Sequence, residues 1–237
     1  MTVPAIELRE VTAGYGPFRA LFGVSLTVAP GEAVALLGAN GAGKTTIARL
    51  ASGLIRAEKG SVFVNGADLT GARAYRYARA GVFHAPEGRS VFATLSVEEN
   101  LQLSVRAGRG HDHDPIGQAY EMFPVLGARR RQIAGTLSGG EQRMLALAGV
   151  MIGAPRLLIG DELSLGLAPL IVEEVYRVLA TIREAGTVLL VVEQHVDHAL
   201  KLCDRVALLE HGTIAWQGTT TEARQVVASR LFDSAAD

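Results

Sequence analysis

One cysteine, Cys203, stands in 237 residues, so no intrachain disulfide can staple the fold, and the chain suits a reducing compartment. Cys203 lies among apolar neighbours and is expected to be inert. Long apolar runs are missing as well: a stretch such as 187–192 (TVLLVV) falls far short of the roughly 20 residues that span a bilayer. The opening MTVPAIELRE has no basic region followed by an apolar run, so it does not read as a secretion signal, and a cytoplasmic location is expected. An excess of either charge is absent too. The 23 Lys and Arg face 24 Asp and Glu, which withholds the positive field of a nucleic-acid binder. Arg129, Arg130 and Arg131 read as a solvated face. His111, Asp112, His113 and Asp114 alternate in a glycine-flanked run, which suits a solvated loop better than a closed metal site.

What is present describes a globular α/β chain. Hydrophobic residues make up 49%, and 27 glycines punctuate short segments without forming a low-complexity tract, so one large domain or a domain with a smaller subdomain is expected. Segments 6–11, 24–28 and 33–37 have strand composition, with Pro30-Gly31 turning the chain between the last two. Residues 62–64 precede Asn65-Gly66, a strong hairpin pattern. From Lys44 to Ala51 the alternation stops and a helix is expected. Residues 96–136 look mostly helical, with Ser96 and Glu99 spaced as a capping box and Val97, Leu101 and Val105 on one face. From Arg156 onward, strands at 157–159, 188–192 and 206–209 alternate with helical stretches, which implies a mainly parallel sheet covered by helices.

Three segments carry chemistry. Gly38-Ala39-Asn40-Gly41-Ala42-Gly43-Lys44-Thr45 fits G-x-x-x-x-G-K-[ST] and sits between a buried strand and a helix start. Its glycines let backbone N–H groups turn inward around phosphate oxygens, and the helix adds the positive end of its dipole. Nucleotide contacts are expected from Gly38, Asn40, Gly41, Gly43, Lys44, Thr45 and Thr46. Lys44 would neutralise the β- and γ-phosphates, and the Thr45 hydroxyl would go to Mg²⁺. Residues 156–162 form an apolar strand ending in Asp161 and Glu162; Asp161 suits Mg²⁺ and Glu162 suits the attacking water, the alternative being a solvated acidic turn. Residues 137–142 (LSGGEQ) open a helix with a serine and two glycines, which reads as a simple cap or as an anion site.

LSGGEQ, following GANGAGKT and preceding the Asp161-Glu162 strand, resembles the signature of ATP-binding cassette ATPases, and the likeness covers nearly the whole chain. That resemblance implies a P-loop NTPase core with a mainly parallel sheet, an N-terminal antiparallel β layer and an inserted helical subdomain. The implied boundaries are 1–95 and 137–237 for the core and 96–136 for the helical part. It also implies ATP and Mg²⁺ as ligands, Lys44 and Glu162 as catalytic groups, and two subunits closing face to face. Ser138, Gly139 and Gly140 of one subunit would then touch the γ-phosphate held by the other. Tyr15 falls where the family places an aromatic residue against adenine; otherwise it is a turn tyrosine at the core edge.

Three departures accompany the likeness. Glu87 stands where most members carry a glutamine that senses Mg²⁺ and the membrane partner, and a carboxylate can still serve Mg²⁺. Counting back from Asp204-Arg205 puts Gln194 in the register of the switch histidine near the γ-phosphate and His195 one residue later, and spacing does not settle which of them faces the phosphate. Leu163 replaces the usual proline after the glutamate, and Leu165-Gly166-Leu167-Ala168 lacks the usual aspartate.

The combination of PEGRSVF, TLSVEENL, DELSLGLAP and VEQH looks like the ATPases of bacterial branched-chain amino acid importers, with amide and urea importers as near alternatives. This likeness implies a peripheral protein on the cytoplasmic face of the membrane. Its expected partners are an identical or sister ATPase, integral membrane permeases and, indirectly, a periplasmic or extracellular solute-binding protein, with no nucleic acid. A permease helix is expected between the helical region and the Glu87 loop. A cassette ATPase of DNA or ribosomes is the other class; such relatives usually carry a coiled-coil insertion or two fused cassettes, and neither is found here. A nucleotide sensor with little turnover is a third reading, which intact Lys44, Asp161 and Glu162 oppose.

Overall fold

A computed structural model describes residues 2–86, 88, 91–107, 114–194, 196–224 and 226. Strands open the chain: β1 (Ile6–Tyr15), β2 (Phe18–Val28) and β3 (Ala33–Leu37), then helix α1 (Lys44–Ala51). There follow β4 (Lys59–Val64), β5 (Ala67–Asp68), α2 (Ala74–Ala80) and β6 (Val82–Ala85). The helices α3 (Val97–Ala107), α4 (Pro115–Met122), α5 (Pro124–Ala128) and α6 (Gly139–Gly153) come next. The last elements are β7 (Leu157–Asp161), α7 (Pro169–Glu184), β8 (Val188–Glu193), α8 (Val196–Leu202), β9 (Arg205–Glu210) and β10 (Thr213–Thr219). Two compact units result, one of Met1–His84, Arg156–Glu162 and Gly186–Asp237, the other of Ala85–Pro155 and Leu163–Ala185.

The first unit holds both sheets. β2, β1, β4 and β5 form an antiparallel four-stranded sheet, and a six-stranded sheet runs β10-β9-β3-β8-β7-β6. Within the second sheet β3 pairs in parallel with β8 and β9, and β7 with β8, while β10 is antiparallel to β9. Every residue of β3, β7 and β8 is buried. That is why these strands read as continuous apolar runs: a parallel strand covered on both faces has no solvent side to make polar. Leu36, Ile47, Leu50, Ile159, Leu190 and Val192 join the strands to α1 in one core.

Local rules account for the joints. Asn65 and Gly66 both take positive φ, 48° and 78°, and turn β4 into β5 as the Asn-Gly pair requires. β1 and β2 run further than expected because Tyr15 still pairs with Phe18 at the tip of their hairpin. α2 was not anticipated, since Tyr77 is its single buried residue and no apolar stripe marks it.

The second unit is helical. Ser96 and Glu99 cap α3 reciprocally, the Ser96 N–H donating to Glu99 Oε2 at 2.7 Å and the Glu99 N–H to Ser96 Oγ at 3.2 Å. Asp114 accepts from the Gly117 N–H at 2.9 Å and starts α4, with Pro115 at its first position. α3 packs on α6 and α6 on α7, which joins helices from separate stretches of sequence, and Leu101 of α3, Leu126 of α5 and Leu145 of α6 are buried. This unit therefore takes in α6 and α7 besides the stretch 96–136. No helix among the described residues is long and apolar enough to cross a membrane.

Candidate functional site

The carboxyl ends of β3, β7 and β8 bring together residues far apart in sequence. The registers set Leu37 beside Glu193 and Asp161 beside Val192, so the loop after β3, the acidic pair after β7 and Gln194 after β8 share one edge of the first unit. In open α/β sheets this edge receives ligands.

The loop 38–43 is shaped by its glycines. A Cβ on Gly38 would stand 2.4 Å from the Leu209 carbonyl oxygen, so the chain approaches β9 closer than any side chain allows. Gly43 takes φ 106° at the N-cap of α1, a left-handed position in the same tight turn. α1 has no side-chain cap and no acidic residue in its first turn, which leaves its first N–H groups and positive dipole end to an anion. Asn40 and Gly41 are exposed at the loop tip, while Thr46 is buried.

Beneath the loop lies Lys44, 4% exposed. Its ammonium donates to the carbonyls of Gly38 at 3.0 Å and Ala39 at 3.1 Å, and stands 3.3 Å from Glu162 Oε1. Glu162 has φ 49°, uncommon for a residue with a side chain, and is held there by its N–H donating to Val192 O at 2.8 Å. Beside it, Thr45 Oγ1 donates to Asp161 Oδ1 at 3.3 Å, and Asp161 is 1% exposed. A hydroxyl and a carboxylate side by side are hard oxygen donors, the chemistry Mg²⁺ takes.

Tyr15 is 41% exposed at the end of β1, with Arg49 of α1 donating to its hydroxyl at 3.3 Å. The Arg49 guanidinium also lies over the ring, 5.8 Å from its centroid. Two residues absent from the expected set also appear. His84 on β6 places Nε2 3.9 Å from Asp161 Oδ2, and Ser52 Oγ lies 3.3 Å from its Nδ1. No motif in the sequence marks either residue: His84 lies on the edge strand β6 and Ser52 at the C-cap of α1, 32 residues apart.

Ser138, Gly139 and Gly140 belong to the second unit, at the start of α6. The Glu141 N–H donates to Ser138 Oγ at 3.3 Å, and the Ser138 N–H donates to Glu141 Oε2 at 2.8 Å. Burial pushes the Glu141 carboxyl up, but the Ser138 N–H and hydroxyl and the nearby Arg129 outweigh it and leave the group below its ordinary value. The stability this carboxylate contributes is thus fully present above that ordinary value and is lost as pH falls through the lowered one. Ser138 acts as a cap here, its Oγ accepting from the Glu141 N–H while its hydroxyl faces the Glu141 carboxylate. Ser138→Ala should cost about 1 kcal/mol of stability in denaturant titration, the usual loss of a cap. A loss of ATP turnover by more than tenfold in the still-folded variant would be the mark of phosphate contact beyond capping. Glu87, His195 and the cluster His111, Asp112 and His113 lie outside the described residues.

The chain is similar to known proteins over most of its length. The family profile described as "ABC transporter" matches residues 21–164. The high-affinity branched-chain amino acid transport ATP-binding protein BraG of Pseudomonas aeruginosa is 41% identical over 215 residues, covering 90% of this chain and 92% of that protein. The lipopolysaccharide export system ATP-binding protein LptB of Escherichia coli is 30% identical, covering 93% and 92%. A solved ATP-binding subunit of an ABC transporter superposes with a TM-score of 0.82 at 26% identity, covering 95% and 94%. With a glycine-rich loop ahead of a helix, an adjoining acidic pair and these relatives along nine-tenths of its length, the chain belongs to the ABC transporter family, as one of its ATP-hydrolysing subunits.

Proposed function

We propose that this chain powers a bacterial importer of branched-chain or other hydrophobic amino acids. The observation that carries the reading is the 41% identity with BraG across nine-tenths of both chains, set against 30% with LptB. ATPases of this family work as dimers with membrane permease components. Here the partner ATPase is an identical or sister cassette, and the assembly lies on the cytoplasmic face of the membrane. A solute-binding protein meets the permeases and not this chain, which is why the ATPase itself cannot select the cargo.

In the proposed reaction ATP lies across the end of the sheet, with its base against Tyr15 and its phosphates in the loop Gly38, Asn40, Gly41, Gly43, Lys44, Thr45 and Thr46. Thr45 and Asp161, with Glu87 through water, would hold Mg²⁺, which neutralises phosphate charge when bound. Glu162 orients a water and takes its proton as the oxygen bonds to the γ-phosphorus; the bridging oxygen leaves with ADP, carrying the electron pair of the broken bond. Ser138, Gly139 and Gly140 of the second subunit close over the γ-phosphate, and Gln194 and His195 stand as its candidate sensors. Lys44 sets fixed charge where negative charge gathers in the transition state.

LptB supports a second reading, export of a lipid-linked cargo, and importers of amides or urea are a third. Recovery of partners from detergent-solubilised membranes, followed by uptake of labelled leucine with and without this chain, separates them. Permeases together with chain-dependent leucine uptake are expected. Partners of lipid export, or uptake of amides alone, would replace the amino acid reading; ribosomal or DNA-repair partners would remove transport altogether.

A further inference from the structure

Asp161 is met from two sides within the first unit. On one, the Thr45 hydroxyl donates to Oδ1 at 3.3 Å. On the other stands His84, whose side chain is 7% exposed and whose Nε2 is 3.9 Å from Oδ2. Nε2 has no hydrogen-bond partner among the described residues. The far side of the ring is tethered: Nδ1 lies 3.3 Å from Ser52 Oγ, and Ser52 is anchored at the end of α1 by Ala48 O at 2.8 Å and Arg49 O at 3.1 Å. Thr45 of α1 thus meets one oxygen of Asp161, and Ser52 at the end of the same helix holds the β6 histidine that faces the other.

A histidine that merely filled space would leave a buried nitrogen beside a carboxylate that is itself 1% exposed. That arrangement is unfavourable unless the two groups serve each other, because a lone pair on Nε2 would repel the carboxylate and a buried polar atom left unpaired forfeits the hydration it had in water. A proton on Nε2 removes the conflict: the neutral ring then needs the Ser52 hydroxyl to turn from Ala48 O to Nδ1, whereas the doubly protonated ring leaves that bond in place and donates from Nδ1 to Ser52 Oγ. At 3.9 Å the contact is longer than a hydrogen bond, and an approach of about 1 Å would make it one.

We propose that His84, steadied by Ser52, is a positioning residue for Asp161: it holds Oδ2 so that the carboxylate keeps the orientation in which it and Thr45 take Mg²⁺. This inference rests on the reading of Asp161 as a Mg²⁺-holding group. Groups that orient a metal ligand change metal affinity by roughly 10- to 100-fold when removed. The long contact places His84 at the lower end of that range.

The test uses Mn²⁺ in place of Mg²⁺, titrated by electron paramagnetic resonance against the full-length protein with a non-hydrolysable ATP analogue. His84→Phe keeps the bulk of a ring and removes both nitrogens; His84→Gln retains an N–H donor. Phe is expected to weaken Mn²⁺ about tenfold and to raise the Mg²⁺ requirement of ATP hydrolysis in parallel, while Gln regains most of the loss. Ser52→Ala should move in the same direction by less. Wild-type Mn²⁺ affinity in His84→Phe, or Gln no better than Phe, overturns the inference. If His84→Phe fails to fold, unchanged Mn²⁺ affinity in Ser52→Ala overturns it instead. Asp161→Asn separates the two levels: wild-type Mn²⁺ affinity there removes the metal assignment itself, whereas weak binding there beside normal binding in His84→Phe sinks only the role of His84.

Discussion

Glu162→Gln is expected to lower ATP turnover by about two to three orders of magnitude and to let ATP-bound dimers accumulate, the range a positioned general base contributes. Glutamine preserves the volume of the side chain, and the φ of 49° is held by the Glu162 N–H donating to Val192 O at 2.8 Å, a backbone contact the substitution leaves alone. What disappears is the carboxylate that would take the proton of the attacking water. The phosphate cradle is built from backbone N–H groups of the loop and the start of α1, so ATP should still bind. Steady-state phosphate release and size-exclusion chromatography with ATP measure the two halves of this expectation. Full turnover in the variant would remove Glu162 from the reaction.

Lys44→Ala should act earlier, on nucleotide binding. The ammonium is 4% exposed and has three acceptors around it, the carbonyls of Gly38 and Ala39 and Glu162 Oε1 at 3.3 Å. Without it the loop loses its one buried cation and leaves Glu162 facing the phosphates with no positive charge between them. ATP affinity is expected to fall at least tenfold and turnover to vanish, read by fluorescent-nucleotide titration beside a thermal melt that establishes folding. Lys44→Arg should not restore activity, because a planar guanidinium fork cannot occupy the place of a compact ammonium under the loop. Wild-type affinity in Lys44→Ala would contradict the phosphate role.

The contrast between these residues and the others shows what a linear reading can reach. Lys44 and Thr45 were legible because the loop and its helix are contiguous, and every element of that motif lies within one turn of strand-to-helix geometry. The Asn65-Gly66 turn and the Ser96–Glu99 capping box were legible for the same reason: their partners sit within three residues. α2 was not, since Tyr77 alone is buried on it. Nor was the pairing of His84 with Asp161, which requires β6 to lie beside β7 in the sheet.

By itself the amino-acid sequence determined the local chemistry: a loop that must turn inward, helices that must start at Lys44 and after Ser138, and strands too apolar to face water. Tertiary structure decided which of those pieces meet. Thr45 and Asp161 are 116 residues apart, and the parallel order β3-β8-β7 is what brings their side chains to 3.3 Å. The physical reason is range. Backbone hydrogen bonds and caps act between near neighbours in the chain, whereas the burial of β3, β7 and β8 in one core fixes the registers that set charges side by side, and no short window of sequence contains that information.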